Sequence, residues 1–584
     1  MRYIKSFIPL MNKSKRVIMI LIALSFSCLF FSGCAAMESI LNTENTYVLD
    51  ANDISDQEKT ITPLSGGEIT IAMPTNLKTF NPLTENNINM INLYTLIFES
   101  PLSLDIDGQF RGDLIENWTV DTSGQVWTFY LRKNIQWHNG FGELTADDLV
   151  FTLDIITDMD TEDSIYARYN KRIGEYYALD KYTLVLNAVD PRTIYDDEIE
   201  PEKSSYIEYA MTFPVLCKSY YENYETFDNL WPIGSGPYEF TDFDINEGIR
   251  LSVNDDWWKK QPYITTIRAI PMADAKGEIE AYANQVLDVI GTSEISANRY
   301  QKYGVTNVEE YMTQYYDCLV PNLYVSSTGE TDEMFIHDVR ARQAIAYALN
   351  KSQIISKVLV NHAVATDVPI PPDSWLYDKT LSIYEYNEKR ALALLYDMGY
   401  TERDENGFLA KMNEETGELI TCSFELMYPK ELQDNYKTNI ASLIEEQLED
   451  IGIRVDLREL SSTLFTTKVE AGSYDVALMS FYLARNPDVR FMLHSSRSTA
   501  NYGYYKDEDM DAALLACGAA VTDDEKKLAY SEMQKIFVEQ LPQIPLYFMT
   551  NSLIYDDSIQ GVSEFRDLNI YNDIQNWYVL SEVQ

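Results

Sequence analysis

The sequence predicts an α/β protein built of more than one domain, and three observations carry that expectation. The first is length: 584 residues exceed what a single hydrophobic core ordinarily organises, so two or three domains are expected. The second is a change of period. Between Asn439 and Ile451, apolar residues recur at Ile440, Leu443, Ile444, Leu448 and Ile451, a helical stripe stopped by Gly452. Ile453, Val455 and Leu457 then alternate with Arg454, Asp456 and Arg458, which is the period of a strand. Such alternation predicts crossover units and a largely parallel sheet. The third is the stretch Ile233–Trp258, IGSGPYEFTDFDINEGIRLSVNDDWW, which reads as a β-hairpin. Tyr238–Phe243 and Ile249–Val253 are its β-prone runs, joined by a polar turn ending in Gly248. Gly234 and Gly236 are expected to supply positive φ in the turn before Pro237.

In chain order, Arg2, Lys5, Lys13, Lys15 and Arg16 form a basic start, followed by an uncharged apolar run from Val17 to Phe31 and then Ser32-Gly33-Cys34. That run is shorter than the about 20 residues a spanning helix needs, and it suits a signal peptide over 1–33. Ala35 to about Ser65 is acidic and lacks apolar period, so 34–65 is expected to be a flexible tether. A strand is expected at Glu68–Ala72, then a loop at Met73–Leu83 turned by Asn81-Pro82, then a helix at Ile88–Phe98. Thr145, with Asp148 three residues on, is a capping box that opens a helix through Leu149, Leu153 and Ile156. Asp338 caps a helix expected over Val339–Val360, and Gly399 ends another over Glu388–Met398. Tyr400–Ser423 is rich in Gly and Asp but lacks the spacing of a calcium loop, so it reads as turns. Tyr474–Ser480 is apolar enough for a central strand. Helices near Met510–Ala520 and Asp524–Gln540 precede a return of the chain at Leu541–Tyr547.

Composition narrows function. A net charge of −45 repels phosphate backbones and excludes nucleic acid as a partner. Tyrosine is abundant, at 42 residues. Its flat apolar ring with a hydrogen-bonding tip suits a cleft for varied ligands, although most of these rings are expected to fill core and surface. Cys217, Cys318, Cys422 and Cys517 are widely spaced with no C-x-x-C pair, so buried free thiols are expected, with one bridge left open. There is no G-x-S-x-G, no H-E-x-x-H and no phosphate loop, and His138, His337, His362 and His494 are scattered. His138 lies beside an Asn-Gly turn without a second ligand at metal spacing, so it reads as a turn residue. Neither a catalytic group nor a metal or other cofactor is expected. The carboxylates leave a glycosidase-like acid pair open by number, but nothing singles one out.

Several of these stretches carry a resemblance. The order G-S-G-P-Y, strand, turn, strand, N-x-x-W-W in Ile233–Trp258 resembles the middle signature of the extracellular solute-binding protein family that serves oligopeptide and dipeptide ABC transporters. Met73–Leu83 resembles the family's first signature, and Phe98-Glu99-Ser100-Pro101-Leu102 its "(F/Y)E-x-L". Val126–Gly140 is similar to "(W/Y)TFxLRxxxxFHDG", DVRARQAIAYALNK at 338–351 to "DVRxRxAlxyAIDR", PIPPDSWLY at 369–377 to "P-x-PP-x-x-W-x-Y", and LPQIPLY at 541–547 to its closing motif. Phe31-Ser32-Gly33-Cys34 resembles a bacterial lipobox, in which Cys34 would be lipidated and two or more acyl chains would hold the protein on a membrane.

The resemblance implies a bilobal periplasmic-binding-protein-like fold of class II, with mixed sheets flanked by helices and an extra subdomain on the first lobe. Lobe I would comprise 66–100, the subdomain 101–212, 213–292 and 542–584, with lobe II over 293–541. Crossings are expected near Gly291–Glu294 and Leu541–Tyr547. It further implies a monomeric, extracytoplasmic, lipid-anchored receptor that closes on a peptide or peptide-like solute and delivers it to ABC permease and ATPase subunits. A sensor role, a non-peptide solute such as an oligosaccharide, and a surface hydrolase are the alternatives. Where peptide binders carry "W-x-x-D-Y-x-(D/E)-P", with the first acid gripping the ligand ammonium, this chain reads Phe481-Tyr482-Leu483-Ala484-Arg485-Asn486-Pro487-Asp488. Alignment on Pro487-Asp488 sets Arg485 in the place of that acid, which predicts an anionic or blocked ligand end unless Asp488 substitutes. Phe481, Tyr482, Trp375, Tyr547, Thr79, Phe80 and Asn81 are the other expected ligand-binding residues.

Overall fold

The computed structural model describes residues 63–160, 163–189, 206–294, 306–324, 334–381, 383–430, 435–483, 488–496 and 500–580. The expected signal peptide, Cys34, most of the tether and Arg485 lie outside them. The chain begins with β1 (Glu68–Pro74) and α1 (Ile88–Ile97). A subdomain follows, made of β2 (Ile115–Val120), β3 (Val126–Leu131), α2 (Ala146–Thr157), β4 (Ile173–Asp180) and β5 (Thr183–Ala188). The signature hairpin is β6 (Tyr238–Asp244) and β7 (Gly248–Val253), followed by β8 (Thr266–Met272), α3 (Ala275–Ala283) and β9 (Val289–Thr292). The long β10 (Thr306–Pro321) leads to α4 (Val339–Ala348), α5 (Lys351–Lys357), β11 (Ala363–Ala365) and α6 (Glu388–Asp397). Then come β12 (Ser423–Pro429), α7 (Tyr436–Asp450), β13 (Arg454–Leu460), α8 (Ser462–Glu470) and β14 (Val476–Tyr482). The last labelled elements are α9 (Glu508–Ala519), α10 (Asp523–Gln540) and the long β15 (Ile544–Asp556).

Among the described residues, β1-β8-β7-β6 form one sheet and β2-β3-β5-β4 another, while β9-β15-β10-β14-β12-β13 form the largest, with β11 beside β15. Two main hydrophobic cores result. The first gathers Ile69, Leu93, Trp127, Phe129, Leu153, Tyr238 and Leu251; the second gathers Ile345, Leu426, Ile444, Val476, Leu514 and Phe537. Among the described residues, β10 and β15 each give buried side chains to both cores. β10 gives Tyr311 to the first core and Tyr316, Cys318, Leu319 and Val320 to the second. β15 gives Leu553 and Tyr555 to the first, and Ile544, Leu546, Tyr547 and Phe548 to the second. Their pairing is irregular between Met312 and Tyr316, where the strands pass from one core to the other.

Three local expectations are revised. The large sheet is mixed: only β12, β13 and β14 pair in parallel, while β9, β15, β10 and β14 pair antiparallel. A chain that enters a domain on one strand and leaves on its neighbour must run the two in opposite directions. The helix expected over Val339–Val360 breaks after Ala348: Leu349 is extended, and the Asn350 side chain accepts from the Gln353 amide to cap α5. The signature glycines Gly234 and Gly236 do not adopt positive φ. They are small because a Cβ would lie 1.9 Å and 2.8 Å, respectively, from the Ile97 carbonyl oxygen. The capping box at Thr145 and Asp148 forms, and Cys217, Cys318, Cys422 and Cys517 are free and buried.

Candidate ligand-binding cleft

The most recognisable residues of the chain converge on one buried carboxylate. Glu99 follows α1 and accepts from Ser235 Oγ (2.9 Å), Trp257 Nε1 (3.1 Å) and Trp258 Nε1 (2.9 Å). Lys259 stands 3.5 Å away and also pairs with Asp113, its ammonium lying 4.8 Å from the Trp258 ring centre. Burial first, and then the charge of Asp113, raise the Glu99 carboxyl to about 7 against the pull of Lys259 and its donors. His138 belongs to the same knot. It bonds Gly236 O through Nε2 at 3.0 Å and accepts the Gly234 amide at Nδ1 at 3.3 Å, and burial lowers it to about 4. Both ring nitrogens are thereby used. Among the described residues, no group of three or more His, Cys, Asp or Glu is placed to hold a metal.

The opening between the two cores lies elsewhere. A cavity of about 100 Å³ is walled by the loop Leu104–Gly108, Tyr209 and Arg566-Asp567 on the side of the first core, by Met312–Gln314 of β10, and by Pro371, Asp373, Ser374 and Leu483 on the side of the second. Four of these residues are carboxylates, Asp105, Asp107, Asp373 and Asp567, and one is a guanidinium, Arg566. Burial raises Asp105, but its hydrogen bonds with Asp107, the Gln109 amide and Arg111 bring it below its usual value. Asp107 is raised, by that same bond to Asp105 and then by burial. Asp373 still meets solvent, yet desolvation by the cavity walls and the charge of Asp107 push it up to about 6. Arg111 thus pairs with Asp105, and Asp107 and Asp373 are the raised carboxyls of the cavity.

Beside the cavity, ions join stretches far apart in the chain. Asp488 takes Arg172 of the first domain at 2.9 Å and both Nε and Nη2 of Arg490 at 2.9 Å. The two guanidinium carbons lie 4.2 and 5.1 Å from the ring centre of Tyr206. Burial alone would raise the Asp488 carboxyl, but Arg490 and Arg172 hold it well below the usual range. Lys526 pairs with the buried Glu208, which also accepts from Trp118 Nε1 at 3.0 Å.

The structure places the expected ligand residues as follows. Tyr547 is fully buried and donates to Asp317 at 2.8 Å; Phe481 is buried against Tyr316 and Phe491. Tyr482 is partly exposed beside Tyr315, with ring centres 5.1 Å apart. Trp375 sits at the cavity lip, its amide donating to Asp107 O at 3.0 Å. Thr79 is tied to Asp228, Asn81 caps its own turn at the Leu83 amide, and Phe80 packs edge-on against Phe240 and Phe243 of the hairpin. None of these lines the cavity between the cores. The register of the acid motif is also corrected: its first acid stands four residues before the proline, which here is Leu483 rather than Arg485, and Leu483 does line the cavity. Asp488, the expected substitute acid, is committed to two arginines. The sequence reading passed over Asp107, Asp373 and Arg566, although Asp107 precedes a glycine turn and Asp373 stands inside the PIPPDSWLY motif.

Comparison with known proteins follows the same lines. The family described as "Bacterial extracellular solute-binding proteins, family 5 Middle" matches residues 109–504. The chain is similar to the oligopeptide-binding protein AppA of Bacillus subtilis, 24% identical over 589 aligned residues that cover 97% of this chain and 100% of that one. It is 26% identical over 463 residues to the dipeptide-binding protein of Escherichia coli, covering 74% and 79% of the two chains. Its fold is similar to that of HbpA2 from Haemophilus parasuis, with a TM-score of 0.72 at 20% identity over 88% of this chain and 100% of that one.

Proposed function

This chain belongs to the bacterial extracellular solute-binding proteins of family 5, and from that premise we propose that it captures a peptide or peptide-like solute through a cationic group. The family makes it an extracytoplasmic binding protein and not an enzyme. The observation that carries the ligand class is the acidic cavity: four carboxylates and one guanidinium face a common space, and Asp107 and Asp373 are both raised. A ligand ammonium sets a positive charge against these carboxyls, and charge-assisted hydrogen bonds contribute about 1.5 to 3 kcal/mol. With apolar Leu483 at the motif's acid position, Asp107 and Asp373 take over recognition of the ligand cation. This reading replaces the anionic ligand end expected from Arg485. The peptide class is supported by the names of the relatives from Bacillus subtilis and Escherichia coli. Delivery to an ABC permease and lipid anchoring through Cys34 complete the proposal. Among the described residues, no helix is long and apolar enough to cross a membrane.

The test is a thermal shift of the soluble chain beginning after Cys34 against matched pools of free and N-acetylated tripeptides. Free peptides at 100 times their dissociation constant stabilise by about 2.7 kcal/mol, and acetylated peptides do not. Stabilisation by the acetylated pool alone restores the anionic reading, and silence from both removes the peptide class.

A further inference from the structure

A second cavity, of about 200 Å³, lies on the side of the first core and shares a wall with the one between the cores. Its lining is polar, including Glu99, Asp113, Lys259, Asn569, Asn572 and Gln575, and it is unlike a packed core. One residue lines both cavities: Arg566. Its side chain is held in place. Nε donates to Leu104 O at 3.0 Å, Nη1 donates to Asp567 O at 3.4 Å, and the backbone is fixed by reciprocal hydrogen bonds with Asn569 at 3.2 and 3.0 Å. Leu568, inside that turn, has φ +62°, so the turn is specific to this backbone and not a passing shape. The carbonyl that Arg566 grips belongs to the rim loop that carries Asp105 and Asp107.

We infer that Arg566 is a specificity-determining partition: it ends the ligand pocket on the first-domain side and limits the size of the ligand group admitted there. The inference rests on the peptide reading above. The polar space behind Arg566 is a ready extension of the pocket, and shortening this one side chain joins the two cavities. Arg566 acts here by bulk, while the carboxylates in front of it act by charge.

The test is native mass spectrometry of the wild-type protein and the variants R566A, R566M and R566W. Each is mixed with three equimolar tripeptide pools in which one position at a time is Ala, Leu, Arg or Trp among alanines. The readout is the ratio of bound Trp-containing peptides to bound all-alanine peptide. R566A raises that ratio by about tenfold in at least one pool, the scale on which pocket size discriminates. R566M, which keeps the reach of the side chain without its charge, stays within about twofold of wild type, and R566W moves the ratio the other way. A ratio unchanged in a folded R566A, or an R566M that behaves like R566A, overturns the partition while leaving the peptide reading intact. Should R566A fail to fold, an R566W ratio below wild type with R566M still near wild type supports the partition, and coincidence of the two variants overturns it. A wild-type protein that retains none of the peptides overturns both readings together.

Discussion

Glu99 and Asp373 are both carboxyls held above their usual range, in the two regions of this molecule that differ most. Glu99 sits in the signature knot, where Ser235, Trp257, Trp258 and Lys259 surround it with partners from the same chain. Asp373 stands in the interdomain cavity, where Asp107 is its charged neighbour. The knot completes its own hydrogen bonds, whereas Asp107 raises Asp373 from the opposite wall of the cavity. A sharp sequence motif therefore marks where the chain recognises itself. A loosely patterned acidic wall marks where it recognises a ligand.

Substitutions at three positions would break or sharpen that contrast. The largest effect is expected at Glu99. Glu99→Ala strands three buried donors and the Lys259 ammonium and lowers stability by about 3 to 5 kcal/mol in urea unfolding, while the set of bound peptides stays the same. Glu99→Gln keeps the shape and changes the pH profile. Because the folded value of about 7 exceeds the ordinary glutamate value of 4.5, the stability contributed by neutral Glu99 is complete below about pH 4.5 and is lost as pH rises through about 7. The Gln variant removes that decline. An unchanged profile would show that Glu99 is ionised in the fold.

An intermediate effect is expected at the ion cluster between the domains. Asp488→Asn leaves Arg172 and Arg490 facing each other across Tyr206, and it lowers the melting free energy by about 2 to 3 kcal/mol. Its folded value lies below the unfolded one, so its contribution is present above about pH 3.9 and fades as pH falls below that point. Small-angle scattering of the ligand-free variant should show a larger radius of gyration, because the pair joining the two domains at this edge is lost. A compact variant would confine Asp488 to local packing.

The smallest effect on stability, and the largest on binding, is expected at Asp373. The Asn variant melts close to wild type, since the residue still meets solvent. Wild-type affinity for a free-amine tripeptide should rise by up to roughly tenfold between pH 5 and pH 7, as a carboxyl near 6 ionises. Calorimetric titration of Asp373→Asn should show that slope flattened. A slope retained in the variant would assign recognition to Asp107 or Asp567 instead.

How much of this was legible depended on range. The helix through Leu149 and Leu153 was readable because its signal, Thr145 capping with Asp148, is complete within four residues. The stripe of α7 and the alternation of β13 were readable because burial against one face imposes a period on neighbours in the chain. Ile233–Trp258 was readable as a hairpin, but the reason for Gly234 and Gly236 was not, because the atom they avoid belongs to Ile97, more than a hundred positions away.

By itself, then, the sequence determined the α/β class, the order of its elements, a chain too long for one core and a family signature, all of which follow from local periods and short motifs. Only the tertiary structure decided that β10 and β15 run antiparallel through both cores, that Glu99 gathers the signature, and that Asp107, Asp373, Leu483 and Arg566 share one cavity. Those residues stand on four separate stretches. No period or spacing links them, because what brings them together is the packing of separate stretches around a common space.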